Sequence, residues 1–230
     1  MTRLKTKPKI QSKTSKKVEL ISHEAKLLKG YFGDDNNGKI LLPNFQRKFV
    51  WTPDQQKKLI AAVLAGVPIG SVLLLGSDKT DMAVRQLCFN DMKINADKNA
   101  SRKYLLDGQQ RLSSLKNAFT DVCHAPDNWK TQDRGELKQD LPENLQIRWF
   151  LKITDDDFGV KNAYFGKKGD ISPAHYVEKL RYTSADDEVL WGDKEYDGEL
   201  SGRCVNNDEI PLWKINNRFF VADIFSKNSI

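Results

Sequence analysis

Tyr104-Leu105-Leu106-Asp107-Gly108-Gln109-Gln110-Arg111-Leu112-Ser113-Ser114-Leu115 decides the fold. Tyr104, Leu105 and Leu106 make a short strand re-entering a core, while Leu112, Leu115 and Phe119 lie three to four residues apart, as on the buried stripe of a helix. Only Asp107 to Arg111 separate the two, so the chain turns abruptly from strand into helix. Such a turn leaves the first helical N–H groups unpaired, with the positive end of the macrodipole behind them, which is an anion site before any side chain is added. Gly108 lets backbone approach a ligand closely, Arg111 is a forked cation suited to phosphate, and Gln109 and Gln110 can orient a water or phosphate oxygens. Asp107 can hold a magnesium ion that bridges phosphates, since Mg²⁺ takes one or two carboxylates and keeps several waters. The same five residues also read as an ordinary capped turn: Asp before Gly is a common N-cap worth about 1 kcal/mol, and Gln and Arg are good helix formers. Neither a GxxxxGK(S/T) loop nor a GxGxxG turn occurs.

Upstream, Ile40 to Leu42 reads as a strand that meets Pro43, and Gln46 and Arg47 then fall among Phe45, Phe49, Val50 and Trp51. Both polar side chains cannot be free in solvent while these neighbours are buried. Arg47 either packs its stem under an aromatic face or lines a site, where it needs an anionic partner such as Asp107 or a phosphate. A helix follows, with Thr52 as N-cap, Pro53 in the first turn, Gln55 completing a capping box and Gly66 at its end; Leu59, Ala62 and Val63 form its buried stripe with Ile60 and Leu64. Val72 to Leu75 is a continuous apolar run expected as a central strand. A first helix is expected over Val18 to Leu28, ended by Gly30. Asp78 to Lys103 and Asp121 to Asn144 read as polar surface insertions, Leu145 to Ile153 as a strand, and Ser172-Pro173 as the start of a short helix with Val177 and Leu180 inward. Ile210 to Ile215 reads as a further strand, and Phe219 to Phe225 begin another element, as in one part of a longer protein or a subunit with a partner.

The net charge of +6 is unevenly placed along the 230 residues. Met1 to Lys17 holds seven basic residues and no acidic one, Gly38 to Thr120 holds 13 basic against 6 acidic, and Asp121 to Ile230 holds 15 against 21. An anionic partner is therefore expected in the first half. The Lys-rich tail reads as disordered, either merely solubilising or a sequence-independent DNA arm. Three cysteines, Cys88, Cys123 and Cys204, without CxxC spacing encode neither a disulfide framework nor a thiolate metal site, which suits a reducing cytoplasm. The longest uncharged stretch, Leu59 to Ser77, is cut by Gly66, Pro68 and Gly70, so no membrane association is expected.

Three segments in order, Leu42 to Trp51, Gly66 to Ser71 with Val72 to Leu75, and Leu106 to Leu112, resemble the successive signatures of the GmrSD-type restriction family, chiefly over residues 38 to 120. The resemblance implies an α+β fold: a ParB/sulfiredoxin-like mixed sheet with packed helices, here with a partly helical C-terminal extension. It implies a nucleotide-hydrolysing part of an anti-phage system acting on modified DNA, with Asp107, Gly108, Gln109, Gln110 and Arg111 as the NTPase motif and Gln46 and Arg47 facing the same pocket. The cofactors implied are an NTP and Mg²⁺, the latter on Asp107. Many members carry an HNH nuclease domain or work beside a nuclease subunit. His23, His124 and His175 are isolated here, so the nuclease is expected on another domain or subunit.

The expected organisation is a basic tail over 1–17, a nucleotide and DNA domain over 18–154 and an acidic continuation over 155–230. Asp155-Asp156-Asp157 and Asp186-Asp187-Glu188 read as solvated turns rather than metal loops, His175 as a surface histidine, and Cys123-His124 as carrying little catalytic weight. Two functions of different class compete: an NTP-hydrolysing sensor domain of a restriction system, and a ParB-like nucleotide-switched DNA clamp or adaptor with little turnover. An autonomous nuclease is the weakest third reading.

Overall fold

The computed structural model describes residues 28–36, 38–77, 83–90, 102–120, 122, 140–153, 173–184, 204 and 206–215. The basic tail, the paired Cys123 and His124, both acidic triplets and Phe219 to Phe225 lie outside them. The chain is a mixed α+β structure, with two small sheets among the described residues. Helix α1 (Leu28–Asn36) leads into β1 (Ile40–Pro43), then α2 (Pro53–Leu64), β2 (Leu73–Ser77), β3 (Val84–Arg85), β4 (Arg102–Asp107) and α3 (Gln109–Thr120). After these come β5 (Ile147–Lys152), α4 (Pro173–Lys179), β6 (Leu180–Ser184) and β7 (Glu209–Pro211), with single 3-10 turns at Glu143–Leu145 and Leu212–Lys214.

The first sheet has the order β2-β4-β1-β3. Its central pair is parallel, Ile40 opposite Lys103 and Leu41 opposite Tyr104, while β2 and β3 close the two edges antiparallel. The C-terminal ends of β1 and β4 therefore lie side by side, which brings the segment after Pro43 next to the turn after Asp107. The second sheet, β6-β5-β7, is antiparallel and joins residues 147–152 with strands drawn from 180–184 and 209–211. Trp149 faces Tyr182 across it, and Arg181 grips Glu209 with a two-pronged ion pair.

Helix α3 lies between the two cores. Leu112 joins Ile40, Leu42, Phe49, Leu87, Leu105 and Leu145 on one side. Leu115 and Ala118 join Leu59, Ile60, Trp149, Leu151, Tyr176 and Leu212 on the other. A helix buried on both sides must satisfy its polar residues internally. Asn117 donates to the Ile147 carbonyl at 3.1 Å, Ser114 to the Gln110 carbonyl at 2.7 Å, and the Ser113 carbonyl accepts from Cys88 Sγ at 3.3 Å. Lys116 reaches Asp35 of α1 at 2.6 Å, with both side chains almost wholly buried. Asp35 also accepts from the Leu87 N–H at 3.0 Å. Burial raises its carboxyl above the ordinary value, and the Lys116 ammonium works against that rise.

Helix α2 has the predicted termini. Thr52 and Gln55 exchange the two hydrogen bonds of a capping box, Pro53 opens the first turn, and Gly66 at φ +70° follows the last one. The buried face is Gln56, Leu59, Ile60 and Ala61, with Ala62, Val63 and Leu64 half-buried.

Elsewhere the structure corrects the expectation. The helix expected over Val18 to Leu28 lies outside the described residues up to position 27, but its expected stop at Gly30 is overturned: α1 runs through Gly30 and Gly33, because burial of Phe32 and Asp35 outweighs the glycines' low helix propensity. Gly38, at φ +66°, then makes the turn into β1, its N–H donating to the Asp35 carbonyl at 3.0 Å. Among the described strands β2 lies at an edge rather than in the centre; Val72 and Leu74 pack on the core, while Leu73 and Leu75 remain 43 % and 42 % exposed. The polar stretch from Asp78 is not merely a surface insertion, since it supplies β3 and the buried Leu87, Cys88 and Phe89. Beyond Pro211 the expected strand becomes a 3-10 turn.

Removing one member of a buried ion pair strands the other charge at a cost of about 3–5 kcal/mol. Lys116→Met is expected to lower unfolding stability by about that amount in urea titration. Adding Asp35→Asn should restore much of it, because the amide oxygen still accepts from the Leu87 N–H and no lone charge remains.

Candidate functional site: the turn between β4 and α3

Asp107 is the last residue of β4 and Gln109 the first of α3, so one residue makes the whole connection. Gly108 takes φ +100°, and its carbonyl accepts the first helical bond, from the Leu112 N–H at 2.9 Å. Gly108, and not Asp107, is thus the N-cap. A Cβ at Gly108 would lie 3.3 Å from the Val72 side chain, so a larger residue meets both a tight neighbour and an unfavourable backbone. The N–H groups of Gln109, Gln110 and Arg111 have no helical acceptor at this end and lie ahead of the helix dipole.

The five turn residues divide by what their side chains do. Asp107 is 69 % exposed; its Oδ2 accepts from Arg111 Nη2 at 3.2 Å, and its Oδ1 makes no hydrogen bond among the described residues. Gln109 is buried, and its carboxamide likewise has no hydrogen-bond partner among the described residues. Gln110 is engaged at both ends of its carboxamide. Its Oε1 accepts from the N–H groups of Val50 at 2.9 Å and Trp51 at 3.2 Å, and its Nε2 donates to the Lys48 carbonyl at 3.2 Å. Arg111 donates to the carbonyls of Ile69 at 2.8 Å and Ser71 at 2.7 Å as well as to Asp107. The guanidinium therefore fastens the 69–71 loop to the turn while placing a positive charge beside the exposed carboxylate.

Of the earlier pair, Gln46 comes to the turn: its Nε2 donates to the Leu106 carbonyl at 2.9 Å, one residue before Asp107. Arg47 does not become buried. Its side chain is exposed and unpaired among the described residues, and its carbonyl, like that of Gln46, accepts from Arg85 Nη2, at 3.0 and 3.1 Å. The expected burial of its neighbours holds for Phe49 and half-holds for Trp51, but Phe45 and Val50 are exposed.

A single outward carboxylate with one open oxygen suits a magnesium ion that keeps its waters and takes its remaining ligands from phosphates. Among the described residues no group of three His, Cys, Asp or Glu comes together to hold a metal, and His175 sits exposed on α4. Cys88 is buried with φ +76°, and desolvation pushes its thiol up to about 12, so it stays protonated at neutral pH and is no nucleophile. No described helix is long and apolar enough to cross a membrane.

Two contributors carry no local signal. Arg85 lies in a stretch that reads as polar insertion, yet it holds two carbonyls of the 46–47 segment. Gly70 reads as a plain turn residue, but it sits at φ +90° and a Cβ there would overlap Arg111 Nη1.

The family model described as the GmrSD restriction endonuclease N-terminal domain matches residues 28–217. An uncharacterized protein of Methanocaldococcus jannaschii is 32 % identical over 98 residues, which are 41 % of this chain and 17 % of that protein. The match thus spans about a sixth of that relative's length. No solved structure matches.

Gly66 and Gly70 separate backbone strain from contact, since both have positive φ but a Cβ at Gly66 meets nothing within 4 Å. Gly66→Ala is expected to cost about 1 kcal/mol from strain alone. Gly70→Ala should cost about 1–3 kcal/mol more, because the Arg111 guanidinium must leave its carbonyls. Urea unfolding of the two variants side by side measures the difference.

Proposed function

The chain belongs to the GmrSD restriction endonuclease family through its N-terminal domain, and from that premise we propose that it is the nucleotide-binding and hydrolysing sensor part of a DNA-restriction system. The nuclease would reside on another domain or subunit. The observation that carries the reading is the Gln109 side chain at the first position of α3, largely buried and without a hydrogen-bond partner among the described residues, set beside an exposed carboxylate and helical N–H groups that have no helical acceptor. A triphosphate supplies what each of these lacks.

In this reading the N–H groups at the start of α3 and the Gly108 backbone take phosphate oxygens, with close approach allowed by the missing side chain. Asp107 would hold Mg²⁺ through its open oxygen, and the ion would supply charge neutralisation between phosphates. Gln109 orients the attacking water or a phosphate oxygen. Phosphoryl transfer needs positioning and charge stabilisation more than covalent chemistry, so such a sparse site suffices. Gln110, Arg111 and Gln46 act as positioning residues, because their side chains hold the 48–51 segment, the 69–71 loop and the end of β4 in register. Arg111 adds its charge without leaving its carbonyls. Arg47 remains available to an anion at the rim.

One observation favours the second reading, a nucleotide-switched DNA clamp with little turnover. Gln110 and Arg111 are occupied with backbone groups, which suits a switch that couples ligand to loop position as much as it suits chemistry. Phosphate release from NTP and Mg²⁺, with and without DNA, separates the two. The sensor reading expects release by the purified chain and a fall of about 10²-fold in both Asp107→Asn and Gln109→Ala. Nucleotide binding with no release under any condition would instead establish the switch.

A further inference from the structure

The segment between β1 and α2 has no regular secondary structure, yet its backbone is held at almost every residue. The Asn44 N–H donates to the Ala83 carbonyl at 3.0 Å and the Gln46 N–H to the Pro43 carbonyl at 3.0 Å. Arg85 holds the carbonyls of Gln46 and Arg47, Gln110 holds the carbonyl of Lys48 and the N–H groups of Val50 and Trp51, and the Phe49 ring is sunk in the core. Apart from the local turn bond to Pro43, the groups that pin the segment come from distant parts of the chain, at Ala83, Arg85 and Gln110. What it turns outward is Phe45, 69 % exposed, Val50, 52 % exposed, and the cations Arg47 and Lys48.

A fixed loop that shows an aromatic ring and two cations to solvent has forgone the burial that its Phe would ordinarily seek, and it contains no acidic residue from Pro43 to Pro53. The partner that such a surface complements is a polyanion with flat apolar faces. We infer that residues 44–50 are the DNA-contact surface of the chain, with the Phe45 ring stacking on an unpaired base and Arg47 and Lys48 on the flanking phosphates. A ring that stacks needs a base out of its duplex stack, so single-stranded or locally opened DNA is the preferred form. Rigidity matters here, because a pre-ordered loop loses little freedom on binding. Gln110 joins this loop to the β4–α3 turn, so on the nucleotide reading above the two ligands bear on one side chain.

The test is fluorescence anisotropy of the full chain with a labelled oligonucleotide, single-stranded and as the duplex of the same length, across a salt series. The wild type is expected to bind the single strand more tightly. Phe45→Ala should weaken single-strand binding by about 10-fold, within the range measured for base stacking, and Phe45→Trp should retain it. Arg47→Ala with Lys48→Ala should weaken both forms and flatten the salt dependence on the single strand by about 0.7 for each phosphate no longer neutralised. Unchanged urea midpoints would show that these exposed substitutions leave the fold intact. Equal binding by wild type, Phe45→Ala and the double variant overturns the inference, as does no DNA binding at all. If Phe45→Ala loses binding of a fluorescent NTP but not of DNA, the ring serves the nucleotide base and the inference is likewise wrong. Absence of NTP binding by the wild type, with DNA binding and its Phe45 dependence intact, overturns the nucleotide reading alone.

Discussion

The rest of the structure depends on the hydrogen bonds of one side chain, the Gln110 carboxamide. It lies in the first turn of a helix buried between two cores, where an amide without partners would cost more than most single packing defects. Its partners are backbone groups of Lys48, Val50 and Trp51, some sixty residues earlier in the chain. Satisfying Gln110 thereby fixes the path of the segment leading into α2, and Arg111 does the same for the 69–71 segment leading into β2. The strand-to-helix turn is thus a hub that holds both ends of α2 in register with the sheet. The groups left over there, the second carboxylate oxygen of Asp107, Gln109 and the helical N–H groups, are those the hub does not use.

The same logic extends along α3. Asn117 satisfies the end of the second sheet at Ile147, and Lys116 draws α1 against the helix through Asp35. The two sheets are consequently tied by a helix with polar as well as apolar contacts on its buried sides. Such a helix is specified more narrowly than a greasy one, because each polar residue accepts only one arrangement of its neighbours.

How much of the fold and the site is legible in the sequence follows the range of each interaction. The α2 termini are legible in full because Thr52, Pro53, Gln55 and Gly66 act on residues three or four positions away. The strand, turn and helix of 104–119 are legible for the same reason, and Gln46 does come to that turn. Arg47 departs from its expected place: the need for a buried partner presumes that Phe45 and Val50 are buried, and an aromatic residue's type does not reveal that a loop holds it outward. β2 reads as central because an apolar run of four has no periodicity to show that Leu73 and Leu75 face outward. Arg85, Gly70 and the Asp35–Lys116 pair act over about forty to eighty residues, where composition carries no trace of the partner.

The parallel pairing of β1 with β4 carries a consequence for how the molecule comes into being. Ile40 and Lys103 are joined across 63 residues, and closing a flexible loop of that length costs about 4 kcal/mol of chain entropy before any contact repays it. Helix α2 has its capping signals within its own sequence, but the surface around residues 44–50 cannot take shape until Gln110 has been synthesised and docked against it. A nascent chain therefore shows Phe45 and its neighbouring cations on a slack loop first. It acquires the rigid display only at the end of folding, when the turn at Gly108 closes the sheet.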